Sequence, residues 1–202
     1  MGRILTELGR AHAAERKDLD AEQTLIRALR ILEKNHGLSS FELAGTLEQI
    51  GQYYTSREKL ENAEAAFRRV LSIRETVLGP SDPTVPPVLD ALGEILMKQK
   101  RYKDAAKVLE RGLFIRMKTN AQDHPLTRVN VEKVAEVYAA EGRQEEAEPL
   151  YRQLLSSQET ETVSSLVGLA RLLAGKERLN EADTLFRQSI GILDKGNWAY
   201  AK

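Results

Sequence analysis

The chain has 202 residues, and its 30 Lys+Arg balance 30 Asp+Glu, for a formal net charge of zero. Charged residues make up 30% and hydrophobic ones 42%, enough to fill a core, which excludes a disordered polar tract. Zero net charge gives no global field for nucleic acid or an anionic membrane, and no apolar run approaches the roughly 20 residues of a membrane span. With no cysteine there is no disulfide framework, thiolate metal site or Cys nucleophile, and the absence fits a cytoplasmic protein.

From the N-terminus, a first predicted helix carries Leu8, Gly9 and His12, and a second carries Ala21 and Leu25. The pattern returns 42 residues on as Ile50, Gly51, Tyr54, Ala63 and Phe67, and again as Leu92, Gly93, Leu96, Ala105 and Leu109. It continues as Val134, Ala135, Tyr138, Ala147 and Tyr151, and ends, after a shorter step of 35, as Leu169, Ala170, Leu173, Ala182 and Phe186. Apolar residues three and four apart predict amphipathic helices, two per repeat. A small residue early in each helix lets two helices cross closely. One such pair cannot bury its own apolar face, so the pairs must stack. The predicted repeats run over 2–38, 39–80, 81–122, 123–160 and 161–194 as one domain, with a tail over 195–202.

The connections follow the same period. Within repeats, Glu141-Gly142-Arg143-Gln144 and Gly175-Lys176-Glu177-Arg178 read as turns. Between repeats, Gly79 suits a left-handed helix stop, Ser81 and Asp123 are candidate caps, and Pro83 and Pro125 stand in register. Ser39 with Glu42 has the spacing of a capping box. A shorter turn near Thr160–Thr162 explains the last step. At the C-terminus, Lys195 to Tyr200 reads either as a turn with the start of another helix, in a segment of a longer repeat protein, or as a fold-back of Trp198 and Tyr200 onto the last pair.

No enzymatic constellation appears. His12, His36 and His124 have no helical metal spacing, His12 shares the apolar column of Tyr54 and Tyr138, and no phosphate loop or nucleophile elbow occurs. No cofactor is expected. Met1-Gly2-Arg3-Ile4-Leu5-Thr6 formally matches an N-myristoylation pattern, but Leu5 and Leu8 read as helix core.

These columns resemble the tetratricopeptide repeat, whose first helix carries a large then a small residue and whose second begins near Ala. The 42-residue period and the Gly79-Pro80-Ser81-Asp82-Pro83 turn resemble the kinesin-light-chain-type subclass, as does the segment from Tyr138 to Tyr151. The resemblance implies an all-α, right-handed superhelical solenoid of five helix-turn-helix repeats. It also implies a non-catalytic scaffold for a protein or peptide ligand, with the first helices lining a concave groove. Helical geometry then places Thr6 and Arg10, Glu48 and Gln52, Asp90, Glu94 and Met97, Glu132 and Glu136, and Arg171 on that face. The paired Asn that kinesin-light-chain repeats commonly carry is replaced by Thr6-Glu7, Glu48-Gln49, Asp90-Ala91, Glu132-Lys133 and Val167-Gly168. The acids favour a basic ligand, unless Arg10, Lys98, Lys133 or Arg171 neutralises them. The alternative is a structural segment that associates with itself through its open repeat ends.

Overall fold

The computed structural model describes residues 1–119, 125–156 and 163–199, the last five of these as backbone only. Among them are ten α-helices, one 3-10 turn at Phe41–Leu43 and no strand. The chain divides into two compact units, Met1–Thr119 and Asn120–Lys202.

The first unit holds α1 (Gly2–Ala14), α2 (Asp18–His36), α3 (Ala44–Ser56), α4 (Leu60–Leu78), α5 (Val85–Lys98) and α6 (Tyr102–Thr119). They pair as hairpins α1–α2, α3–α4 and α5–α6, and each later first helix also packs on the second helix before it. The second unit holds α7 (Pro125–Glu141), α8 (Gln144–Ser156), α9 (Val163–Gly175) and α10 (Leu179–Ala199), paired α7–α8 and α9–α10, with α8 also against α9.

The small column has a direct steric cause. A Cβ on Gly9 would lie 2.7 Å from Leu25, one on Gly51 2.6 Å from Phe67, and one on Gly93 2.5 Å from Leu109. In each hairpin the glycine therefore receives the large apolar residue sixteen positions later. The cores that result are continuous: Leu25, Leu47, Ile50, Phe67, Val70, Leu92 and Ile95 belong to one cluster.

Five hairpin turns share one backbone geometry. Arg16, Glu58, Lys100, Gly142 and Glu177, in the same column, have φ of 59°, 56°, 60°, 87° and 61°. The next residue closes each turn, its N–H donating to the carbonyl five residues back: Lys17 to His12, Lys59 to Tyr54, Arg101 to Leu96, Arg143 to Tyr138 and Arg178 to Leu173, at 2.8–3.0 Å. These are Schellman closures of the first helix. The sequence reading placed glycine at this break, yet only Gly142 occupies the left-handed position.

Other boundaries differ in detail. Gly79 stops α4 with φ 98°, as expected, and Gly37 does the same for α2 with φ 84°. Ser81 caps nothing; instead Asp82 Oδ1 accepts from the Thr84 N–H at 2.8 Å and from its hydroxyl at 2.6 Å, an Asx-type turn ahead of α5. The capping box does not form, because Ser40, not Ser39, donates to Glu42. Leu8, read as core, is largely exposed, since among the described residues no helix covers that face of α1. The helix α10 continues through Ala199, where a turn was expected. Asp123, His124, the turn at 160–162, the side chain of Trp198 and Tyr200 lie outside the described residues.

Candidate functional site

The groove residues begin on α1 and α3, which lie side by side in the first unit. Two hollows open along their seam. The larger, about 420 Å³, is lined by Arg3, Thr6, Glu7, Phe41, Glu42 and Thr46, with Gly45, Glu48 and Gln49. The smaller, about 170 Å³, is lined by Arg10, Ala13, Leu25, Gln49, Gln52, Tyr53 and Ser56. Gln49 lines both, so the two hollows adjoin as a trough with Gln49 between them. The expected pairs Thr6 with Glu48, and Arg10 with Gln52, each meet across one hollow, because each pair occupies the same column of successive repeats.

The trough floor is knitted by hydroxyls. Buried Thr6 donates its Oγ1 to the Gly2 carbonyl at 3.2 Å and shares a 2.8 Å hydrogen bond with Thr46. Arg10 clasps Glu7 at 2.7 Å on the rim. The Ser40 hydroxyl, with a backbone N–H, holds the Glu42 carboxyl below its ordinary range, so Glu42 stays ionised. Burial pushes the Glu48 carboxyl upward, and Arg74 works against that from 2.6 Å.

That last contact recurs. Glu48 lies 26 residues before Arg74, and Asp90 lies 26 before Arg116. Asp90 is buried and takes a two-pronged pair from buried Arg116: Nη1 to Oδ1 at 3.1 Å and Nη2 to Oδ2 at 2.5 Å. The expectation of Asp90 as an exposed groove acid is thereby corrected. For Glu48 and Asp90 the neutralising groups are Arg74 and Arg116, from the second helix of the same hairpin. Glu94, on the same helix as Asp90, is exposed, and Met97 is half-buried.

In the second unit, Glu132 accepts from the Ser165 hydroxyl at 3.0 Å. Glu136 and Arg171 are exposed. All three act on Tyr151: burial raises its hydroxyl pKa most, Glu136 and Glu132 raise it further, and Arg171 opposes them. The Tyr151 ring also lies where a Cβ on Gly168 would come within 2.6 Å, so α9 approaches it closely. Sequence reasoning missed Arg3, Phe41, Gln49 and Thr46 in the trough. Gln49 had a signal, since it stands one place before the large-small pair.

Among the described residues no group of three or more His, Cys, Asp or Glu could hold a metal, and no helix is long and apolar enough to cross a membrane. His12 is half-buried and His36 exposed.

The tetratricopeptide-repeat pattern matches residues 43–84 and, in a second form, residues 84–160, together more than half of the chain. The chain belongs to the tetratricopeptide-repeat family. Its fold is of the kinesin-light-chain-like type. It is similar to the Podosopora anserina kinesin-light-chain protein of nearly identical TPR-like repeats, with TM-score 0.82 and 20% identity over 96% of this chain and 95% of that one. It is likewise similar to BtubC (BKLC) from P. vanneervenii, with TM-score 0.82 and 12% identity over 96% and 80% of the two chains. The apo form of RapI superposes with TM-score 0.84 and 16% identity, over 97% of this chain and 71% of that one. A search of curated proteins finds no match. Members of this family act in general as non-catalytic scaffolds for other proteins.

Proposed function

We propose that this tetratricopeptide-repeat chain is a non-catalytic scaffold that holds an extended segment of another protein along the α1–α3 seam. The observation that carries this reading is the pair of adjoining hollows, lined at equivalent positions of two successive repeats by Thr6 with Glu48 and Arg10 with Gln52. An extended chain repeats its backbone donors and acceptors along its length, and a trough with side-chain amides along it suits such a ligand better than a compact one. Gln49 and Gln52 offer those amides, and Gln49 stands where kinesin-light-chain repeats commonly carry Asn.

The bound segment is basic at the larger hollow. Glu48 is already matched by Arg74, and Glu7 by Arg10. Glu42 is held ionised chiefly by a hydroxyl and a backbone N–H, with smaller contributions from His36 and Arg3, beside exposed Phe41. A Lys or Arg there gains a charge-assisted contact with Glu42 and apolar cover from the Phe41 ring. Glu94 and Met97 extend the reading along α5 within the first unit, and Glu132, Glu136 and Arg171 offer a separate set on α7 and α9 of the second. The setting is cytoplasmic.

A displayed library of random peptides, selected on the full chain, tests this. Selected peptides should be rich in Lys and Arg and should lose at least tenfold in affinity to a Glu42→Lys, Gln49→Ala, Gln52→Ala variant. Peptides that bind this variant as well as they bind the parent chain would place the site elsewhere.

A further inference from the structure

Successive hairpins dock through a contact that recurs in register, and its polar half is a fixed pair of clasps. In one, Arg69 reaches back to Glu33 at 2.5 Å and to the Leu38 carbonyl, and Arg111, 42 residues on, reaches Glu75 at 2.5 Å and the Pro80 carbonyl. In the other, the base that closes three of the hairpin turns pairs with an acid in the second helix before it: Lys59 with Glu22, Arg101 with Glu64, and Arg178 with Glu148, each at 2.8 Å.

Each end of the chain presents one half of that contact. On α1, Ile4 and Leu8 are 74% and 45% exposed, whereas their counterparts Thr46, Ile50, Val88 and Leu92 are at most 4% exposed. Arg27 occupies the column of Arg69 and Arg111, and Lys17 the column of Lys59 and Arg101; both are exposed, Lys17 making a local pair with Glu15. On α10, Ile190 and Leu193 are exposed, while Leu29 and Leu71, which share the column of Ile190, pack against the core. Asp194 takes the column of Glu33 and Glu75, and Asp183 that of Glu22, Glu64 and Glu148. The Asp183 side chain is 60% exposed and pairs with Arg187 one turn on.

We propose that a second copy of this chain docks head to tail, its α1–α2 hairpin on the α10 face of the first. Ile4 and Leu8 meet Ile190 and Leu193, Arg27 lies opposite Asp194, and Lys17 lies opposite Asp183. The occupant is a copy of this chain because both halves of one charge register stand on it, in the order its internal hairpins already use. Such a contact joins two different faces, so copies add in series, into an open filament or a closed ring according to the rotation between them.

Sedimentation velocity of the full chain, from micromolar to millimolar, tests this. The average mass should rise past that of a dimer. Arg27→Asp and Asp194→Arg should each weaken association about tenfold by setting like charges face to face, and the double variant should recover it. These positions are exposed, so unchanged circular dichroism and melting will exclude a folding defect, and Ile4→Asp should abolish association outright. A mass that stays monomeric, a series that stops at two copies, or single reversals without effect would overturn the proposal. Peptide binding in the trough is untouched by these changes, so the two readings fail separately.

Discussion

At the scale of single residues, the pair between Asp90 and Arg116 decides how the acids on the first helices should be read. Both side chains are buried, so each charge has lost most of its water and depends on the other. Arg116→Met would strand a buried carboxylate and should cost about 3–5 kcal/mol, whereas adding Asp90→Leu to it should recover most of the loss. Urea unfolding of the two variants checks this, and a double variant no better than the single would show that the pair is not the reason. The pairing was legible in principle. Glu48 and Arg74 repeat as Asp90 and Arg116 after 42 residues, and a column comparison of acids with arginines exposes it. Helical spacing alone did not, because it places a residue on a face without saying whether a long side chain from the partner helix has reached it. The same limit hid Thr46, whose column mixes Ile4 and Val88 with Asn130 and Ser165 and so reads as neither apolar nor polar.

At the scale of elements, the helices and their stacking were legible because close packing leaves a periodic trace: Gly9, Gly51 and Gly93 exist to admit Leu25, Phe67 and Leu109. The turns were less so. Arg16, Glu58, Lys100 and Glu177 adopt the left-handed conformation without glycine, so composition gives no warning; the closing hydrogen bond and the tertiary docking on either side impose it. The column therefore predicts opposite signs for opposite exchanges. Lys100→Gly removes a strained Cβ and should stabilise by about 0.5–1 kcal/mol, and Gly142→Ala introduces one and should cost about 1 kcal/mol. Denaturant midpoints of the two variants measure this directly, and a shift of the same sign in both would refute a shared turn geometry.

At the scale of the whole molecule, acids of one hairpin meet bases of the next at several places. Glu148 is the densest of them. Its carboxylate accepts from Arg152 at 2.8 Å, Arg178 at 2.8 Å and Lys176 at 3.0 Å, and so joins α8 to the α9–α10 turn. Burial works upward on its pKa, yet the three hydrogen bonds together outweigh it and bring the carboxyl from 4.5 down to about 2. A folded value below the unfolded one means that folding favours the ionised form. The stabilisation is therefore complete above pH 4.5, declines as the pH falls, and is gone near pH 2. Glu148→Gln should lower stability by about 2 kcal/mol at neutral pH, surface screening having been allowed for. Between pH 4.5 and pH 2 the parent chain should converge on the variant, which has no proton to take up at this position. Parallel unfolding curves at stepped pH test this; a gap that stays constant would assign the loss to packing of the glutamate stem rather than to its charge.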